Sequence, residues 1–129
     1  MARMFVEIDG QSEKQRGSGL LIATGAGTTG WYKGASKYAS PHAYRMPRTV
    51  RAAKVILREP FEKDDIAPGE VTRYKLYNLV FKEGEELRIT YFTHGDGRLS
   101  SDTQVRYHLA RGNKIAVRIS DTQLNVIRA

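Results

Sequence analysis

The chain has no cysteine anywhere in its 129 residues. That excludes a disulfide framework, a thiolate metal site and a cysteine nucleophile. Histidine is scarce: His42, His94 and His108 stand at no metal-ligand spacing, and no His-x-x-x-His pair marks a zinc site. No metal site is expected. No apolar run approaches 18 residues, which excludes a helical membrane span, so no membrane partner is expected. The opening Met1 to Val6 segment has neither a signal-peptide core nor a transit-peptide pattern. With the absence of cysteine, this fits a reducing compartment, and the expected location is the cytoplasm. Acidic residues are few, 14 Asp and Glu against 21 Lys and Arg, for a net charge of +7. A basic surface attracts polyanions, and nucleotides and nucleic acids both qualify. The excess gathers at Arg45, Arg48, Arg51, Lys54 and Arg58. Such a run is either a solvated face or a phosphate-facing surface.

What is present reads as one domain, residues 1–129, built mainly of short β-strands. Phe5 to Ile8 reads as a strand ended by the Asp9-Gly10 turn signal, and Gln11 to Arg16 as a polar link in a hairpin. Gly19 to Thr24 is a second strand. From Ala52 onward strands recur: Lys54 to Arg58, stopped at Pro60, then Tyr74 to Phe81 and Leu87 to Thr93. Leu87, Ile89 and Tyr91 alternate with Arg88, Thr90 and Phe92 at period 2, and Val105, Tyr107 and Leu109 repeat the pattern. His94-Gly95-Asp96-Gly97 reads as a hairpin turn. Turns every 8–12 residues indicate a sandwich-like fold. One short helix is expected over residues 28–38, after a glycine-rich loop.

That loop is the most distinctive stretch. Leu20, Leu21, Ile22 and Ala23 read as a buried strand, Thr24 to Gly30 contains only Gly, Ala and Thr, and Trp31-Tyr32 follows. Small residues let a ligand approach the backbone, and exposed N–H groups can form a nest for phosphate oxygens. A plain glycine-rich connection between two elements satisfies the same composition.

The block from Ser18 to Trp31, S-G-L-L-I-A-T-G-A-G-T-T-G-W, resembles the nucleotide-binding block of the ATP-NAD kinase family, within the NAD kinase and diacylglycerol kinase-like superfamily. The commoner branch of that family spells it D-G-L followed by T-P-T-G-S-T-A-Y. The divergent mitochondrial-type branch, S-G-L-x-x-x-T-G-T-G-S-x-A-W, is closer. Leu57-Arg58-Glu59-Pro60-Phe61 is similar to that branch's I-R-E-P element. His94-Gly95-Asp96-Gly97 and the alternation from Lys114 to Ile127 follow in the order of the family's D-G and closing hairpins.

The resemblance implies a fold, the mainly β C-terminal domain of an NAD kinase, and a substrate site for NAD at Ser18, Gly25, Ala26, Gly27, Thr28, Thr29 and Trp31. Ser18 stands where the commoner branch has Asp, and Ala26 where it has a hydroxyl residue. Each change removes a polar contact. Trp31 fits either ring stacking or the core. The implied reaction transfers the γ-phosphoryl of ATP to the adenosine ribose 2′-hydroxyl of NAD to give NADP, with ATP and a divalent metal such as Mg as the full-length enzyme's cofactors. Homo-oligomers are implied as well. The family's G-G-D-G loop, which carries its catalytic aspartate, and its N-E pair lie in an N-terminal α/β domain, and no match to that domain occurs here. The chain therefore reads as an excised domain or a fragment, inactive alone and with no catalytic residue of its own; a free-standing binding domain is the competing account. The rival function is a non-enzymatic basic β domain that binds single-stranded nucleic acid through its many strand tyrosines. No RNA-binding signature supports it, so nucleic acid is not the expected partner.

Overall fold

The computed structural model describes residues 2–25, 47, 49–61, 74–95, 97–101 and 105–121. Nine strands occur among them: β1 (Ala2–Ile8), β2 (Gln11–Gly17), β3 (Gly19–Thr24), β4 (Ala52–Arg58), β5 (Asn78–Lys82), β6 (Leu87–Tyr91), β7 (Gly97–Ser101), β8 (Val105–Leu109) and β9 (Lys114–Val117). No helix occurs among the described residues. The helix expected over residues 28–38 lies outside them. The chain is mainly β, and every strand pairing is antiparallel.

The strands form a four-stranded sheet of order β2-β1-β6-β9, a three-stranded sheet of order β3-β4-β5, and a separate β7-β8 ribbon. Period-2 patterning sets the faces. On β1, Met4, Val6 and Ile8 point inward, and on β6 Leu87, Ile89 and Tyr91 do the same. The register pairs Met4 with Tyr91 and Val6 with Ile89, so the two apolar stripes are contiguous. The second sheet answers with Ala53, Val55, Leu57 and Phe81. These residues form one core between the two sheets, and Phe81, Val6 and Leu87 are fully enclosed. Each such side chain contributes about 1.5–3 kcal/mol through its burial.

The first hairpin turns at Asp9-Gly10, where φ is 49° and 76°. Two positive φ values match the twist of the flanking strands, and Asp-Gly suits that turn well. The polar link expected from Gln11 to Arg16 is itself a strand, β2. Its inward positions are polar or bare: Gln15 and Gly17 are the buried ones. Gln15 Nε2 donates to the Leu76 carbonyl at 2.9 Å and to Glu13 at 3.0 Å. Glu13 in turn accepts from the Lys75 and Leu76 amides at 2.7 and 3.0 Å. Two polar side chains thereby tie the segment before β5 to the edge of the first sheet.

His94-Gly95-Asp96-Gly97 does not join paired strands. It leads from β6, in the four-stranded sheet, to β7 in the ribbon, and Asp96 lies outside the described residues. The ribbon packs at its base, where Gly97 lies so close to Tyr91 that a methyl group there would meet the ring at 2.5 Å.

Among the described glycines, Gly17 makes the tightest approach to another backbone. A methyl group on it would lie 2.5 Å from the Arg58 carbonyl oxygen and 2.8 Å from Leu57 Cδ1. Gly17→Ala is expected to cost about 1–3 kcal/mol, the usual penalty for overpacking. Phe81→Ala should cost about 3–5 kcal/mol through lost burial and a cavity. Urea denaturation of each variant checks both values.

Candidate functional site

The glycine-rich block begins at a corner. The chain leaves the first sheet at Gly17, passes through Ser18 and enters the second sheet at Gly19. Gly19 has φ 143°, a conformation that side chains disfavour. Gly19 then stands in register with Arg58, and the Ser18 amide donates to the Arg58 carbonyl at 2.8 Å. The Ser18 hydroxyl donates to the Glu59 carboxylate. Glu59 itself has φ 48°, an unfavourable left-handed conformation for a glutamate, costing about 1–2 kcal/mol. The surroundings hold it there: the Phe61 amide donates to the Arg16 carbonyl at 2.9 Å, and Tyr74 Oη donates to the Phe61 carbonyl at 2.7 Å while accepting from the Arg16 amide at 3.2 Å.

From this corner β3 runs to Thr24, and Gly25 follows in a turn. Six strand residues at about 3.3 Å each separate Ser18 from Gly25 by on the order of 20 Å. Two of the seven expected substrate residues are thus described, and they stand at opposite ends of one strand. The other five, Ala26, Gly27, Thr28, Thr29 and Trp31, lie outside the described residues. Leu20, Leu21, Ile22 and Ala23, expected to be buried, are only half-buried.

At the Gly25 end, β4 brings two basic residues that the motif does not contain. Arg51 precedes the strand and forms an ion pair with Glu83 at 2.7 Å, while its other nitrogen donates to the Ser120 carbonyl at 2.8 Å. The Glu83 hydrogen bond raises the Arg51 pKa above its ordinary value. Lys54 lies on the outer face of β4, in register with Ala23 of β3 and Val80 of β5. Partial burial lowers its pKa from 10.5. Sequence reading placed Lys54 only in a basic run; its position beside Ala23 follows from the strand register.

A concavity lies elsewhere, at the β1-β2 turn, lined by Glu7, Asp9, Glu86 and Arg88 among others. Its one guanidinium is paired with Glu86 at 3.2 Å. Three carboxylates around a paired arginine disfavour a phosphate ligand. Among the described residues no group of three His, Asp or Glu side chains could hold a metal ion. No described helix is long and apolar enough to cross a membrane.

No family model matches the chain, and no curated protein matches it.

Two measurements probe this geometry. Ser18→Ala and Glu59→Ala are each expected to cost about 0.5–1.5 kcal/mol, and the double variant no more than the larger single loss, because they share one hydrogen bond. Denaturation of all four proteins gives that coupling. The second is pH-dependent. Burial disfavours the charged Lys54 in the folded state, so its cost is present near neutral pH and disappears as pH rises through the folded-state pKa toward 10.5. The melting-temperature advantage of Lys54→Met over the native chain should therefore narrow between about pH 7 and pH 10.5.

Proposed function

We propose that this chain is an NAD-binding domain of the NAD kinase type. The observation that carries the reading is the junction of Ser18 with Arg58 and Glu59. The serine-glycine-leucine block and the R-E-P element are 41 positions apart at their hydrogen-bonded residues, and each is a fragment of the family resemblance. They meet as one unit, with Gly19 opposite Arg58 in the sheet, as a shared fold requires. The mainly β, antiparallel architecture supports the same reading.

In this reading the loop that starts at Gly25, with Ala26, Gly27, Thr28, Thr29 and Trp31, holds NAD by backbone contact. Phosphoryl transfer needs a held triphosphate, a positioned hydroxyl and neutralised charge. ATP, Mg and a separate α/β domain supply these in a longer protein, and these 129 residues bind without catalysing. Assembly as a homo-oligomer and a cytoplasmic setting belong to the same proposal.

A second reading draws on the β7-β8 ribbon. Tyr107 is 61% exposed and Leu99 38% exposed, and they form a cross-strand pair beside Arg98 and His108. An exposed aromatic on a basic ribbon suits single-stranded nucleic acid.

Titration with NAD, NADP and a short oligonucleotide, following Trp31 fluorescence, separates the two. Saturable quenching by the dinucleotides with little response to the oligonucleotide is expected. A response to the oligonucleotide alone, falling steeply with salt, would overturn the dinucleotide reading.

A further inference from the structure

The outer face of the three-stranded sheet mixes apolar and basic residues. Its register positions are Gly19, Leu21 and Ala23 on β3, Ala52, Lys54, Ile56 and Arg58 on β4, and Asn78, Val80 and Lys82 on β5. Ala52 is 3% exposed and Ile56 2% exposed, so this face is covered on both sides of Lys54. Lys54 between them is only half-buried, and Val80 beside it is exposed.

Its ammonium has no ion-pair or hydrogen-bond partner among the described residues. No carboxylate occupies any register position of this face, whereas Arg58 and Lys82 add further cations to it. Glu83, the nearest acidic residue in sequence to β5, is engaged by Arg51. A lysine flanked by Ala23 and Val80, partly stripped of water and unpaired, favours an anion that can restore its lost contacts. Gly25 follows Ala23, the register partner of Lys54, by two positions.

From these positions we infer that Lys54 binds a phosphate group of a nucleotide held at the Gly25 end of the second sheet. The inference deepens the proposed function and rests on it for the identity of the nucleotide. It also adds a residue that lies outside the glycine-rich block. The contact is a charge-assisted hydrogen bond from the ammonium to a phosphate oxygen, with Ala23 and Val80 as its apolar walls.

Calorimetric titration of the full chain with NADP and with inorganic pyrophosphate tests it. The native protein should bind both. Lys54→Gln should weaken pyrophosphate binding about tenfold or more, the size of one charge-assisted hydrogen bond, and NADP binding in parallel. Lys54→Arg should retain most of the affinity. Lys54→Met, which suits the apolar walls, should match Lys54→Gln and melt no lower than the native protein. NADP binding that is unchanged in Lys54→Gln would overturn the assignment and leave the dinucleotide reading intact. Pyrophosphate binding lost with Lys54, in a protein that ignores NADP, would support the phosphate site and overturn the dinucleotide reading. A native chain that binds neither would overturn both.

Discussion

The fold turns on one close approach, that of Gly17 to the Arg58 carbonyl. A β-sandwich must carry its chain from one sheet to the other, and here a single residue, Ser18, makes the passage. The two backbones come so near that no side chain fits at Gly17. Because β2 ends there, β3 starts in register with the last residue of β4. That register settles which face each residue of β3 and β4 occupies, since a slip of one position would exchange the faces. Leu20 and Ile22 therefore join the core with Val55 and Leu57, while Leu21, Ala23 and Lys54 face outward.

The same corner stores strain. Glu59 adopts a positive φ, and hydrogen bonds on both sides of it hold the conformation in place. Strained non-glycine residues persist where the surroundings over-determine them. Ser18, Arg16 and Tyr74 are those surroundings, so the R-E-P element and the start of the glycine-rich block constrain each other. At the far end of β3 the chemistry differs: a half-buried lysine between Ala23 and Val80 replaces the packed polar corner.

Much of the architecture was legible in the order of residues. Leu87, Ile89 and Tyr91 alternate cleanly and are buried, and Gly19 to Thr24 is a strand within the limits read from its composition. Asp9-Gly10 marked its turn. Elements whose inward face is not apolar were illegible. β2 buries Gln15 and Gly17, so its alternation carries no hydrophobic signal and it reads as a polar link. The Asp-Gly signal at His94 to Gly97 marks a bend, but local sequence does not say whether the strands beside it will pair. For the candidate site, the resemblance names Ser18 and Gly25 as candidates, and the strand read from Gly19 to Thr24 already set them a strand's length apart.

The sequence by itself determined the class of this protein. Period-2 hydrophobicity, turn residues and small residues at tight positions make antiparallel strands, because each is a local consequence of side-chain size and backbone freedom. Only the tertiary structure decided which strands pair and which side chains share a face. Those depend on register between segments tens of residues apart, as in Ser18 with Glu59 and Ala23 with Lys54. Burial supplies the physical reason: the arrangement that encloses Phe81, Val6 and Leu87 in one core is favoured by the apolar area it removes from water, and the positions of the polar groups follow from it.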